Sequence, residues 1–251
     1  MQRELSGKSA LVTGSSRGIG RAIADVLHAE GCRLAINARN VDDLTRAAAD
    51  LPGAVVIAGD VSKPDEARRV VGEATAAFGG LDILVCNVGS GHSVLPGDET
   101  YAEWQRVFAL NLWSTTNTVE AAREVLIASR GAVVCISSIC GCEVVAGAPI
   151  TYSAAKAALN AYVRGISRPL GKHGVRINVV APGNVLFEGS VWARKLAQDA
   201  AGVQTMLRRD VALGRMGTTR DVAELVAYLA SPRAAFATGG VWTLDGGQVH
   251  S

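Results

Sequence analysis

Charge of either sign is scarce in this chain. Only 19% of its 251 residues are charged, against about a quarter in an average soluble protein. Lys plus Arg (25) and Asp plus Glu (23) nearly cancel, leaving a formal charge of +2. That balance argues against a broad nucleic-acid surface, though it leaves room for a local basic pocket. Long apolar runs are missing as well. No uncharged stretch reaches the roughly 18 residues of a membrane span. Arg3, Glu4 and Lys8 stand where a signal peptide would build its apolar segment, so the expectation is a cytoplasmic protein with no membrane and no nucleic acid among its partners. The five cysteines are Cys32, Cys86, Cys135, Cys140 and Cys142. An odd number in a non-secreted chain argues against a disulfide framework. Cys140-Gly141-Cys142 has the spacing of a metal or redox pair. Without a second ligand cluster it reads as small loop residues, and no metal is expected.

What the chain does hold is apolar residues, at 49%, and glycine, at 28 of 251. The first supplies a sizeable core and excludes intrinsic disorder. The second is about 11% against a usual ~7%, has no collagen-like period, and marks turns and close backbone approaches. Short apolar runs at Ser9–Thr13, Arg33–Asn37, 54–59, Ile83–Cys86, 132–137, Arg176–Ala181 and Val241–Leu244 lack polar alternation, as parallel strands covered on both faces do. Helical patterns alternate with them near Gly18–Ala29, 41–49, Pro64–Phe78, 101–129, 151–171 and Thr219–Ala230. Ser62 is a cap candidate ahead of Pro64. The alternation predicts one α/β domain over 1–251, a Rossmann-like doubly wound parallel sheet with helices on both faces. The segment 183–214 breaks the rhythm. It leaves the carboxyl end of the sixth strand, where such sheets bind ligands, and is expected to form a substrate lid.

The first strand runs into Thr13-Gly14-Ser15-Ser16-Arg17-Gly18-Ile19-Gly20 and then a helix. Strand, glycine turn and helix make a pyrophosphate site, because glycine admits the phosphates and the helix start offers free N–H groups. The spacing is G-x-x-x-G-x-G, unlike the general G-x-G-x-x-G. At the end of the second strand, Ala38 stands where an NAD site usually has an acid, and Arg39 follows. Arg39 and Arg17 can grip a 2′-phosphate with charge-assisted bonds. NADPH/NADP+ is therefore expected ahead of NADH. Asp60 can accept from the adenine amino group or serve as a cap.

Tyr152 and Lys156 are four apart and share a helix face. A nearby ammonium favours the phenolate and is expected to lower the tyrosine's pKa toward the range of an acid/base catalyst. Ser138, at the end of the neighbouring strand, can hydrogen-bond a carbonyl and hold it against the Tyr152 hydroxyl.

Taken in order, Thr13-Gly14-x-x-x-Gly18-Ile19-Gly20, Asp60, Asn87-Val88-Gly89, Asn111, Ser138, Tyr152-x-x-x-Lys156 and Pro182-Gly183 resemble the short-chain dehydrogenase/reductase family along the whole chain. Within it the chain most resembles the 3-oxoacyl-carrier-protein reductase branch. The resemblance implies Asn111, Ser138, Tyr152 and Lys156 as catalytic residues, with Asn111 holding a water that links Lys156 to solvent. It implies dinucleotide contacts at Gly14, Ser16, Arg17, Gly18, Ile19, Gly20 and Arg39. Further contacts are implied at Asp60 and Val61 (adenine), Asn87, Gly89, Tyr152, Lys156, Pro182, Gly183 and Val185. Two positions depart from the family pattern. Val88 replaces a usual alanine, and Phe187 replaces a threonine that clamps the nicotinamide carboxamide; a backbone group or Ser190 would have to substitute.

The expected activity is NADPH-dependent reduction of a ketone, 3-oxoacyl or related, to a secondary alcohol, with Tyr152 as general acid. The alternatives are an alcohol or sugar dehydrogenase running toward the ketone, and a non-catalytic dinucleotide sensor. The partner is a small carbonyl or alcohol substrate, acyl thioesters included. Arg130 and Lys172 are considered for carrier-protein docking, and read more simply as solubilising cations. Phe187, Trp192, Leu196, Met206 and Leu207 are read as packing the lid onto the domain, and Trp113 as core. Family resemblance implies that the helices bearing Asn111 and Tyr152 pair across a two-fold axis, in a homotetramer or homodimer.

Overall fold

Every residue of the first strand, β1 (Ser9–Thr13), is buried. Its alternate side chains enter two different cores: Ala10 and Val12 on one face, Leu11 on the other. This is why the run shows no polar alternation. In the computed structural model, which describes residues 4–249, the pattern repeats along the chain. Arg3 of the opening segment lies outside the described residues.

The chain continues through α1 (Gly18–Ala29), β2 (Arg33–Ala38), α2 (Val41–Ala48), β3 (Val55–Ala58), α3 (Pro64–Phe78) and β4 (Ile83–Cys86). Next come α4 (Tyr101–Phe108), α5 (Ser114–Ser129), β5 (Ala132–Ile136), α6 (Ile150–Gly171) and β6 (Arg176–Pro182). The excursion that follows holds β7 (Val185–Leu186), α7 (Val191–Gln198), α8 (Ala200–Asp210) and β8 (Gly217–Thr218), before α9 (Thr219–Ala230) and β9 (Val241–Leu244). Seven strands pair in the order β3-β2-β1-β4-β5-β6-β9, all parallel. One apolar core lies under α1, α2 and α9 and the other under α3, α5 and α6. Each fully buried Leu or Ile in them contributes ~1.5–3 kcal/mol relative to exposure. The order reverses between β1 and β4, so the crevice at the carboxyl ends of these two strands is the natural ligand position.

Three local expectations are corrected. The 101–129 helix is not continuous: Ala109–Trp113 winds as a π-helical turn between α4 and α5. Ser62 does not cap α3. Lys63 is the N-cap residue without a side-chain bond, while the backbone N–H and hydroxyl of Ser62 both donate to the Asp60 carboxylate (3.1 and 2.7 Å). Asp60 thus closes a turn ahead of the helix. Trp113, expected in the core, is 42% exposed, because the π turn rotates it outward from the faces that α4 and α5 bury.

The segment 183–214, expected to form a lid, packs mainly on itself. Val203, Leu207 and Val211 form a third small core with Trp192, Leu196, Met206 and Met216. Phe187 alone of the five apolar residues considered there packs against the core under α1, α2 and α9. All five cysteines are free thiols. Among the described residues no helix is long and apolar enough to cross a membrane.

Candidate active site

The glycine turn is built by close contacts that no larger residue allows. Gly14 and Gly18 adopt φ of +64° and +59°, the left-handed region. A methyl on Gly20 would sit 2.3 Å from the Gly14 carbonyl. The turn is fastened on both sides. Ser15 Oγ donates to the Val12 carbonyl (2.8 Å), and its backbone N–H donates to Asn37 O at the end of β2 (2.9 Å). Asn87, just past β4, donates from Nδ2 to the carbonyls of Thr13 (3.2 Å) and Gly14 (2.9 Å), bridging the point where strand order reverses.

Helix α1, which the turn feeds, has no side-chain cap and no acid in its first turn. By contrast Asn40, Thr100, Ser190, Asp199 and Thr218 cap α2, α4, α7, α8 and α9. Its first N–H groups and positive end are left for an anion. Arg17 and Arg39 are both exposed and form no ion pair among the described residues. Ala38, beside Arg39, is flanked by no carboxylate at the strand end. This donor set fits a dinucleotide with an additional phosphate, except at one point: the ring of Phe187 lies against Gly18.

Ser138, Tyr152 and Lys156 line the cleft, and Asn111 lies buried next to them behind Gly89. Ser138 extends from β5 and accepts from the Cys140 N–H (3.2 Å). The turn after it packs onto α6 so closely that a methyl on Gly141 would lie 2.6 Å from the Lys156 carbonyl carbon. Lys156 is 3% exposed; its Nζ donates to the Ile136 carbonyl (2.9 Å) and sits over the Tyr152 ring, 5.9 Å from the centroid. Asn111 is fully buried in the π turn. Its Oδ1 accepts from Ser90 N–H (2.9 Å), and Nδ2 donates to Ser90 O (3.1 Å) and Val107 O (3.0 Å). Gly89 joins the two: a methyl there would be 2.9 Å from Asn111 Oδ1 and 3.1 Å from Lys156 Nζ.

The proton affinities differ from the sequence expectation. Burial raises Tyr152 to about 12, and the bond to the Ser138 hydroxyl offsets this only in part. Burial likewise lowers Lys156 to about 8. The lysine does not make a phenolate of its neighbour; the phenol keeps its proton at neutral pH.

Several residues around the cleft escaped sequence reasoning. Ser90 fastens Asn111. Ser93 Oγ bonds Glu103 (2.7 Å) and Thr151 Oγ1 (2.6 Å), tying the loop after β4 to the residue preceding Tyr152. Arg106 and Ser93 hold the Glu103 carboxyl down at about 2. The position of Ser90 immediately after Asn87-Val88-Gly89 was the available signal; the Ser93 network joins residues far apart in sequence and had none. The other sequence candidates are spread along the cleft and beyond it. Val61 is buried at the base of α3, its carbonyl accepting weakly from Asn117 Nδ2 (3.4 Å). Ser16 and Ile19 are half-buried in the turn. Pro182 and Gly183 close β6 at the cleft wall, and Val185 begins the lid. Ser190 Oγ caps α7 by accepting from Ala193 N–H (3.0 Å), a role that occupies its lone pairs and leaves its O–H proton as a donor. Arg130 and Lys172 end α5 and α6, at the amino edge of the sheet opposite the cleft. Besides Lys156, the cations that line the cleft are Arg17 and, from 183–214, Arg194, Lys195, Arg208 and Arg209. The cleft measures about 1320 Å³ and contains both the glycine turn and Tyr152.

A family model described as Enoyl-(Acyl carrier protein) reductase matches residues 14–249. The chain belongs to the short-chain dehydrogenase/reductase family. This short-chain dehydrogenase/reductase is similar to a protein named granaticin polyketide synthase putative ketoacyl reductase 2, from Streptomyces violaceoruber. The two are 39% identical over 243 residues, 95% of this chain and 94% of the relative. It is 35% identical to the 3-oxoacyl-(acyl-carrier-protein) reductase FabG of Escherichia coli, over 96% of this chain and 97% of that one. Among solved structures it resembles L-sorbose reductase from Gluconobacter frateurii, complexed with NADPH and L-sorbose. That match has a TM-score of 0.93 and 29% identity, and covers all of both chains. An oxidoreductase on a doubly wound parallel sheet is what the sequence led us to expect.

Proposed function

We propose that this protein reduces a ketone to a secondary alcohol with NADPH, on a 3-oxoacyl or related substrate. The observation that carries the reading is a half-buried Tyr152 beside Ser138 in the same cleft as an uncapped, glycine-opened helix start. Bound NADPH would supply the hydride. Ser138 and Tyr152 together hold the carbonyl oxygen, and Tyr152 donates its proton as the oxygen gains charge. Lys156 binds the nicotinamide ribose hydroxyls and supplies positive charge beneath the phenol. Asn111, with the second lone pair of Oδ1 at the Gly89 corner, holds the water that returns a proton from solvent. Gly14, Ser16, Gly18, Ile19 and Gly20 receive the pyrophosphate, and Arg17 and Arg39 the 2′-phosphate. Asp60 and Val61 flank adenine; Asn87, Gly89, Pro182, Gly183 and Val185 line the nicotinamide side.

A phenol that burial holds in its protonated form suits the proton donation that ketone reduction requires. The lid cations Arg194, Lys195 and Arg208 favour a substrate with an anionic group, such as a phosphate-bearing acyl thioester.

NADPH oxidation should be followed with a 3-oxoacyl thioester, a neutral ketone and an enoyl thioester, the last because the family model's description names enoyl reduction. Turnover is expected with the carbonyl substrates. Tyr152→Phe removes the proton donor and keeps the ring, so activity should fall by at least ~10²-fold, the lower range for general acid catalysis, with NADPH binding retained. Near-normal turnover in that variant would sink the mechanism. Binding of NADPH without turnover of any carbonyl would favour the sensor reading.

A further inference from the structure

Helix α1 presents its free N–H groups at Gly18, Ile19 and Gly20, and the first bond of the helix ladder is Arg21 N–H to Arg17 O. Phe187 lies directly on this spot. A methyl built on Gly18 would meet ring carbons Cε2, Cδ2 and Cζ at 2.6, 3.0 and 3.0 Å. The ring therefore covers the side of Gly18 on which a side chain would stand, at the start of the helix. The ring is also anchored on its own side. It packs on the same apolar core as Ile19. Its backbone follows β7, which pairs with β8, and its N–H points to Ser190 Oγ, the cap of α7 (3.4 Å).

We propose that Phe187 is a gate on the glycine turn, setting the affinity for the dinucleotide and coupling its entry to the root of the lid. The inference rests on the dinucleotide reading above. The pyrophosphate reaches α1 only after the ring leaves Gly18. Because the ring, β7 and the α7 cap form one short run, 185–190, that displacement loosens the base of the lid. Part of the binding free energy is then used to expose an aromatic ring, and the apparent affinity is reduced accordingly. Lid and cofactor thereby report on each other, with no contact between α7 or α8 and the phosphates required.

The test compares Phe187→Ala, which removes the ring and adds no hydrogen bond, with Phe187→Leu, which keeps bulk. NADPH affinity is read by fluorescence titration without substrate. Phe187→Ala should bind NADPH about five- to tenfold more tightly, the range expected for relieving partial exposure of a ring, and Phe187→Leu should stay near the parent. In parallel, hydrogen exchange of amides 185–190 should quicken in the parent protein on adding NADPH, and in Phe187→Ala should be fast before any is added. Weaker binding in Phe187→Ala would make the ring a clamp on the cofactor and overturn the gate. Unchanged binding, or exchange at 185–190 indifferent to NADPH, would overturn it too. A parent protein that binds neither NADPH nor NADH would remove the proposed function and the gate together, whereas the other failures leave that function standing.

Discussion

Burial moves Tyr152 and Lys156 in opposite directions, because it always disfavours the charged form: the phenol rises to about 12 and the ammonium falls to about 8. The phenol therefore stays protonated throughout the neutral range, and Lys156 is the group that titrates within it. Below about 8 the lysine is charged, and above it the charge is lost. The reduction rate should hold steady at lower pH and decline as pH rises through that value. Lys156→Arg, which keeps its charge, should move the decline upward. A pH–rate profile that falls only where tyrosine ionises would remove Lys156 from the titration. Stability has its own sign. In the window from about 8 to 10.5 the unfolded chain holds the lysine proton and the folded one does not, so this group's contribution to stability rises with pH. Cofactor choice is also decided residue by residue. Arg39 and Arg17 offer charge-assisted bonds of ~1.5–3 kcal/mol each when well placed, and their exposure reduces this. A preference for NADPH over NADH of about ten- to a thousandfold in kcat/KM is expected, each ~1.4 kcal/mol being tenfold. Arg39→Ala should weaken NADPH use by about tenfold and leave NADH nearly untouched, and Ala38→Asp should push preference further toward NADH. Equal loss with both cofactors in Arg39→Ala would show that the arginine does not read the phosphate.

At the scale of elements, the π turn Ala109–Trp113 is what brings Asn111 to the site. A regular helix over 101–129 would direct this side chain elsewhere, and the extra residue in the turn aims all three of its bonds at Ser90 and Val107. Asn111→Ala leaves the Ser90 N–H and carbonyl without their partners, at a cost of ~1–3 kcal/mol in stability. It also frees the Gly89 corner against which Lys156 rests, so kcat should fall about tenfold or more through misplacement. Urea denaturation and steady-state turnover check the two effects; a variant unchanged in both would mean that the loop after β4 holds its shape unaided. This element also marks a limit of sequence reading. Strands such as β1 and β5 were legible because two-sided burial writes an unbroken apolar run. Tyr152 and Lys156 were legible because helical spacing is local. A π insertion changes hydrogen-bond pairing without changing composition, and nothing in Tyr101–Ser129 announced it. Phe187 was visible as a departure at its position, but its seat on Gly18 joins residues 169 apart in number (187 minus 18), beyond any local pattern.

For the molecule as a whole, topology decides which surfaces serve the site. Cations at the ends of α5 and α6, Arg130 and Lys172, fall at the amino edge of a parallel sheet, and that much follows from their standing just before β5 and β6. The lid cations could be credited only once α7 and α8 were seen to line the cleft. The same frame accounts for apolar residues that the core does not use. Tyr101 is 78% exposed and Trp113 42%, one at the start of α4 and the other at the end of the π turn, while Ile150 opens α6 at 46%. Exposed apolar side chains of this size, on α4, the π turn that carries Asn111 and the start of α6, favour the pairing of these helices across a two-fold axis. A stable interface of that kind buries about 1,200–2,000 Å² and gains most from a few aromatic anchors. Light scattering should then give a mass of two or four 26.0 kDa chains. Trp113→Glu places an unpaired charge in the proposed interface and should shift the protein toward smaller species, with far-ultraviolet circular dichroism unchanged because the side chain lies outside both cores. Since the π turn sits at this face, the dissociated form should also lose turnover more than NADPH binding, much of which rests on the glycine turn. A parent protein that runs as a monomer at every concentration, or a Trp113→Glu variant with unaltered mass, would assign these aromatics to some other role.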